Sequence, residues 1–328
     1  MTVIGLLPEQ TMTMTYSALV GPVLWWACCF GGLVLWWERT VTKYIAVSNR
    51  RGGVGKTTIT MMLAYGLAIT GRQRVLLIDL DAQASTSMVM MGHRRWREAR
   101  EANRTNAGLL MHLVGEDKVA TSDYIAKGIG DVTLPGGDAP SLDIMPSSHD
   151  LDDREAMLMI AHQARFHKIS DAFDQMQARM AQIIRSVDGQ YDQVIIDCAP
   201  GLSQLVWGAL RAADLVLVPY IPDRTAEDNV GWLARRLKEN GGGTEYYTVP
   251  NRVSGQDSRA QGIIAAVSGK YSPFGVQVPA TQPLATALDY RDQPGTFASK
   301  FGTAAQHVNA LTDTVLKIIN KPIVVAAQ

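Results

Sequence analysis

Cysteine is the scarcest chemistry in this chain. Three cysteines in 328 residues cannot build a disulfide framework, and they are too few for a four-thiolate zinc or iron–sulfur site. Cys28 and Cys29 are adjacent in an apolar run, and Cys198 stands alone. Histidine is sparse too. Of the six histidines only His162 and His167 lie close together, and a five-residue separation does not put them on one helical face. An excess of charge is also missing, since 31 Lys+Arg balance 31 Asp+Glu. This excludes a histone-like polycation and leaves only local basic patches. Charged residues make up 19% against 47% hydrophobic, so the chain buries a sizeable core and is not disordered.

No charged residue occurs between Glu9 and Glu38. Within that gap, Ser17 to Trp37 is an almost wholly apolar run, long enough to span a bilayer. Arg39 and Lys43 come after it and only Glu9 precedes it, so the positive-inside rule places the bulk of the chain in the cytoplasm. A basic n-region is absent, which argues against a secretory signal peptide. Gly21-Pro22 and Gly31-Gly32 interrupt the run, and Trp25-Trp26 fall within it rather than at an interface. Two readings stand. Residues 1–40 are either a membrane anchor, or the product of a mis-assigned start to a protein that begins near Val41. Residues 41–328 form the main domain in both.

From Val41 onward the chain is dense with motifs. Tyr44 to Ser48 is a β-prone run leading into Asn49-Arg50-Arg51-Gly52-Gly53-Val54-Gly55-Lys56-Thr57-Thr58. Ile59, Met62, Leu63 and Leu67 then recur at helical spacing up to Gly71. Strand, glycine-rich loop, helix is the context of a phosphate-binding loop. Glycines let backbone N–H groups approach an anion, and the helix N-terminus adds a positive dipole end. Lys56 would reach the β- and γ-phosphates, and Thr57 would offer its hydroxyl to Mg²⁺.

Val75 to Asp81 reads as a buried strand ending in the pair Asp79 and Asp81, and Tyr191 to Pro200 as another ending at Asp197. Leu142–Met145 and Leu215–Val218 are further strand candidates. A long helix is expected over 163–187, and a second from the cap pair Thr225/Asp228 to Gly241. Residues 241–260 read as loop-rich. Apolar strands alternating with helices predict an α/β fold: a doubly wound, mainly parallel sheet with helices on both faces. Ligands bind such sheets at the carboxyl ends of the strands, where the motif residues lie.

The run RGGVGKTT, with VLLIDLDAQ and YDQVIIDCAP after it, resembles the ParA/MinD group of P-loop ATPases over residues 43–318. Its nearest likeness is to the ParA-type partition ATPases. The general P-loop pattern needs glycine where Arg50 stands, and the group's signature lysine before the glycine pair is here Arg51.

The resemblance implies that residues 51–58 hold ATP, with Lys56 on phosphate and Thr57 on Mg²⁺. It implies that Asp81 positions the attacking water, that Asp79 stands behind it, and that Asp197 holds Mg²⁺ through water. Gly201 and Ser203 would form the switch turn, and Asn251 and Pro279 would contact adenine. Arg51 would reach across a homodimer to the partner's phosphates, as an arginine finger does.

Such ATPases bind DNA non-specifically as ATP dimers and hydrolyse ATP with a centromere-binding or adaptor protein. The implied location is the cytoplasm, at the nucleoid. Candidate DNA-facing clusters are His93–Arg104, with five Arg against two Glu, and Arg235, Arg236 and Lys238. The alternative is a membrane-tethered relative that positions a protein complex without DNA, using residues 17–37. The C-terminal tail, with Lys317, Lys321 and Pro322, makes a poor lipid-binding helix.

Overall fold

The computed structural model describes residues 25–29, 32–36, 41–114, 120–164, 166, 168–240, 244–255, 257–287 and 289–320. They fall into two units, Met1–Thr40 and Val41–Gln328.

In the first unit, β1 (Trp25–Cys29) and β2 (Gly32–Trp36) pair antiparallel, with Trp25 opposite Trp36 and Cys29 opposite Gly32. The apolar run is therefore extended at these positions rather than helical, in keeping with the β preference of tryptophan and valine. The remainder of 17–37 lies outside the described residues. Among the described residues no helix is long and apolar enough to cross a membrane.

The second unit is built on β3 (Lys43–Val47), β4 (Val75–Leu80), β5 (Val132–Thr133), β6 (Leu142–Met145), β7 (Gln193–Cys198), β8 (Leu215–Tyr220), β9 (Glu245–Pro250) and β10 (Gly295–Thr296). Six of these make one parallel sheet in the order β6-β4-β7-β3-β8-β9, while β5 pairs with β10. The register sets Val47 and Asp79 each beside Asp197. Three strand ends that carry the motifs are thus neighbours although far apart in sequence.

Among the described residues there are twelve helices: α1 (Lys56–Tyr65), α2 (Ser85–Met91), α3 (His93–Glu101), α4 (Asn106–Val114), α5 (Leu151–Gln163), α6 (Ile169–Arg185), α7 (Gln204–Ala212), α8 (Ala226–Asn240), α9 (Ser258–Lys270), α10 (Gln282–Thr286), α11 (Phe297–Phe301) and α12 (Ala305–Ile319). Side chains alternate across the sheet. Tyr44, Ala46, Leu76, Ile78, Val194 and Ile196 pack with α4 to α8 on one face. Ile45, Val47, Val75, Leu77 and Ile195 pack with α1, α11 and α12 on the other. β4, β7 and β8 are buried along their whole length on both faces, which is why they read as continuous apolar runs. The covering helices are amphipathic. In α6 the buried positions Ala172, Met176, Met180, Ile183 and Ile184 form one stripe.

The structure corrects three sequence expectations. The helix expected over 163–187 is α6 alone, and a separate α5 precedes it. Residues 241–260 are not simply loop. They contain the edge strand β9, whose Tyr246-Tyr247-Thr248-Val249 is strongly β-prone, and the start of α9. Asp257 caps α9 by accepting from the Arg259 and Ala260 amides. The expected Thr225/Asp228 cap takes another form, because the Thr225 hydroxyl bonds Asp223, Arg51 and Asn229. Gly241–Gly243 and residues 321–328 lie outside the described residues.

Candidate functional site

The glycine-rich loop runs from the end of β3 into the first turn of α1. Gly53 and Gly55 take positive φ, +74° and +92°, a region that costs other residues about 1–2 kcal/mol. A Cβ on Gly55 would also collide with the Asn251 side chain. Two buried asparagines brace the loop from the neighbouring strand ends. Asn49 Nδ2 donates to the Pro219 carbonyl at 2.8 Å while its Oδ1 accepts from the Arg51 amide at 3.0 Å. Asn251 Nδ2 donates to the Val54 carbonyl at 2.8 Å. Gly52 is exposed and Val54 buried, and Thr58 sits half-buried in the first turn of α1.

Lys56 opens α1 and is only 6% exposed. Its ammonium donates to the Arg51 carbonyl at 3.3 Å, and no carboxylate among the described residues is bonded to it. Burial lowers its pKa, opposed by the nearby Asp197 and Asp81 carboxylates. The next residue faces an acid directly, since Thr57 Oγ1 donates to Asp197 Oδ2 at 2.8 Å. Thr86 donates to the same oxygen, and Thr60 to Oδ1 at 3.3 Å. Burial raises the Asp197 carboxyl above its ordinary range, against these hydroxyls and Lys56.

Asp79 and Asp81 have separate surroundings. Asp79 is fully buried. Its Oδ2 accepts from the Ser87 amide at 2.9 Å and hydroxyl at 2.6 Å, and its Oδ1 from the Asp81 amide at 3.1 Å. Burial first, and then the charge of Asp197, raises its pKa. Both oxygens are occupied in holding the turn from β4 into α2. Asp81 is half-exposed on that turn, and its Oδ1 accepts from the Gln83 amide at 2.9 Å. Its Oδ2 has no hydrogen-bond partner among the described residues.

Arg51 is engaged within its own chain. Nη1 pairs with Asp223 Oδ2 at 2.5 Å and with Thr225 Oγ1 at 2.8 Å, on the loop after β8. Gly201, at φ +94°, donates its amide to the Arg50 carbonyl at 2.9 Å. The turn after Asp197 is thereby tied to the loop, and Ser203 then caps α7. Pro279 lies beside Val253, two residues from Asn251.

The fold thus gathers Lys56, Thr57, Asp81 and Asp197 around one helix N-terminus. Sequence reasoning missed the supporting shell: Asn49, Thr60, Thr86 and Ser87. Thr86 and Ser87 sit on α2, where neither spacing nor periodicity marks them, and only the placement of α2 over the sheet end reveals them.

This arrangement has counterparts. The model of the AAA_31 family, an AAA domain, matches residues 42–240. The chromosome partitioning protein ParA of Caulobacter vibrioides is 34% identical over 196 residues, 60% of this chain and 62% of that protein. The chain thus spans less than two thirds of the length of the curated relatives it matches. The septum site-determining protein MinD of Pyrococcus horikoshii, solved with Mg-ADP, superposes with a TM-score of 0.59 at 20% identity, covering 85% of this chain and 98% of that one. Cobyrinic acid a,c-diamide synthase of Mycobacterium smegmatis, solved with ADP and magnesium, gives 0.61 at 22% identity, covering 85% and 96%. These two likenesses speak for the fold. The loop, the strand-end carboxylates, the sheet order and the family match agree: the chain belongs to the AAA_31 family and has a ParA/MinD-like P-loop fold.

Proposed function

We propose that this protein is a ParA-type ATPase for DNA partition. It binds Mg-ATP, dimerises in that state, associates with DNA non-specifically, and lets go when a partner protein stimulates hydrolysis. The observation that carries the reading is Lys56, a buried ammonium at a helix N-terminus whose bonded partner is a carbonyl rather than an anion. A buried charge without a counter-ion is costly, and a phosphate group supplies what is missing.

The residues fit Mg-ATP. The loop amides and Lys56 would hold the phosphates, and the adjacent Thr57 hydroxyl and Asp197 carboxylate would hold the metal, directly and through water. Bound Mg²⁺ supplies charge neutralisation on the phosphates as they are transferred. Asp81, with one carboxylate oxygen unengaged, orients the attacking water. Asn251 and Pro279 would contact the adenine. Arg51 keeps the positive charge of the signature position. Dimerisation would require it to leave Asp223 for the facing subunit's phosphates.

The test is DNA binding by the full chain, with and without ATP, beside Lys56→Ala. Salt-sensitive, sequence-independent binding that needs both ATP and Lys56 is expected. ATP binding with no DNA affinity would reject the partition role. Asp81→Ala should retain ATP but lose turnover about a hundredfold, read as phosphate release. Wild-type turnover in that variant would remove Asp81 from the chemistry.

A further inference from the structure

A second concave surface lies beside the loop, outside the nucleotide site. It is a cleft of about 530 Å³ between α6, α7 and α8. Its apolar lining comes from Phe173, Leu202, Trp207 and Trp232, all half-buried, and its cationic lining from Arg211 and Arg236. Two tryptophans left accessible in one cleft form the aromatic, arginine-rimmed surface that protein contacts favour.

The charges are organised. Arg50, from the loop itself, and Arg236, from α8, both stack on the Trp232 ring, at 4.9 Å and 5.5 Å from its centroid. Stacking fixes the guanidinium planes and leaves their edge N–H groups free to meet carboxylates. Among the described residues Arg50 has no acidic partner. Arg236 has only the exposed Glu239 one turn on, at 3.5 Å. Arg211 is steadied by Asp174 at 3.4 Å and Gln177 at 3.1 Å. Because guanidinium groups occupy the Trp232 ring, that ring is a poor platform for a nucleobase. Asp174 on the rim also opposes a continuous phosphate backbone. Discrete carboxylates around an apolar anchor fit better.

We propose that this cleft docks an acidic segment of a partner protein, with an apolar anchor against Phe173, Leu202 and Trp207 and carboxylates on Arg50 and Arg236. Docking touches the phosphate loop at Arg50 and the turn after Asp197 at Leu202. The hydrogen bond from the Gly201 amide to the Arg50 carbonyl, at 2.9 Å, joins the two. Occupancy of the cleft and of the loop should therefore influence each other. This coupling rests on the reading of the loop as an ATP site; the docking does not.

The test uses the full chain and a fluorescein-labelled peptide of alternating glutamate, leucine and tryptophan. A lysine-for-glutamate peptide and oligo-dT of similar length serve as comparators. Saturable binding of the acidic peptide is expected, weakened about tenfold or more by Arg236→Glu and by Trp232→Ala, and weakened less by Arg236→Lys, which keeps the charge but loses the planar fork. Arg236 is exposed, so its reversal tests the site even if Trp232→Ala fails to fold. Equal or tighter binding of the basic peptide or of oligo-dT would overturn the proposal, as would indifference to Arg236→Glu.

Mg-ATP should shift the peptide affinity in the wild type and not in Lys56→Ala. Peptide binding that ignores ATP, in a protein shown separately to bind it, would overturn the coupling. A wild type that binds peptide but no ATP would instead defeat the nucleotide reading and leave the docking intact.

Discussion

Two buried lysines stand in the same layer of helices, and their surroundings are opposite. Lys300, on α11, has a fully buried side chain and pairs with the equally buried Asp131 at 2.6 Å. Asp131 also accepts from the Tyr65 hydroxyl at 2.6 Å and the Arg291 amide at 2.9 Å, while Lys300 donates to the Asp289 carbonyl at 3.1 Å. Lys56, at the start of α1, is nearly as buried but has one carbonyl at 3.3 Å and no carboxylate bonded to it. A buried cation paired with a buried carboxylate of its own chain fastens the fold. In this protein it ties the C-terminal segment to the end of α1 and to β5. A buried cation left short of an anion marks a place prepared for a ligand.

The same substitution at both positions exposes the difference. Lys300→Met leaves Asp131 buried with its counter-ion removed, and should lower the unfolding free energy by about 3–5 kcal/mol, read from denaturant midpoints. The loss should show in the absence of any nucleotide. Lys56→Met removes a cation that the apo protein bears at a cost, so apo stability should hold or rise slightly. Nucleotide affinity should instead fall by on the order of a hundredfold, the loss of charge-assisted bonds amounting to about 3 kcal/mol, measured by calorimetry. Equal destabilisation at both sites would erase the contrast and with it the argument that Lys56 awaits an anion.

A smaller effect sharpens the picture at the neighbouring cation, Arg51. Burial works against the Asp223 carboxylate, but the bonds from Arg51 and Thr225 outweigh it and hold its pKa below the ordinary value. A carboxyl depressed in the folded state contributes stability that is present above its unfolded pKa and is lost as pH falls through the folded one. The stability gap between wild type and Asp223→Asn should therefore be full near neutrality and close at acid pH. Both side chains are about a third exposed or more, so the gap should stay under about 1 kcal/mol. A gap that widens in acid would show that Arg51 is not held by this carboxylate.

The sequence made the loop legible because its chemistry is local. Glycines at 52, 53 and 55 with Lys56 and Thr57 between a strand and a helix specify a phosphate cradle without help from elsewhere. The strands ending at Asp79 and Asp197 were equally plain, since doubly covered strands are uninterrupted apolar runs. The edge strand β9 was hidden because its first three residues are not buried and its pattern matches neither template. Helix α5 was not anticipated because only Leu151 and Leu158 of its thirteen residues are buried, too few to give an apolar stripe. Asn49 and Asn251 could not be recognised as braces: each bonds a carbonyl that is distant in sequence, and asparagine has no spacing rule that announces such a bond.

By itself, then, the sequence determined the doubly wound parallel sheet, the glycine loop and the acids at the strand ends, because backbone propensity and burial on both faces act over a few residues at a time. Only the tertiary structure decided how each acid is engaged. Asp79 has both oxygens taken by Ser87 and the Asp81 amide, Asp81 keeps one oxygen open, and Asp197 sits on Thr57. Only the tertiary structure set Arg51 on Asp223 and brought Arg50, Trp232 and Arg236 into one stack. The contacts of Arg50 and Arg51 reach residues more than a hundred positions away, and their strength depends on burial and distance, which no stretch of sequence contains.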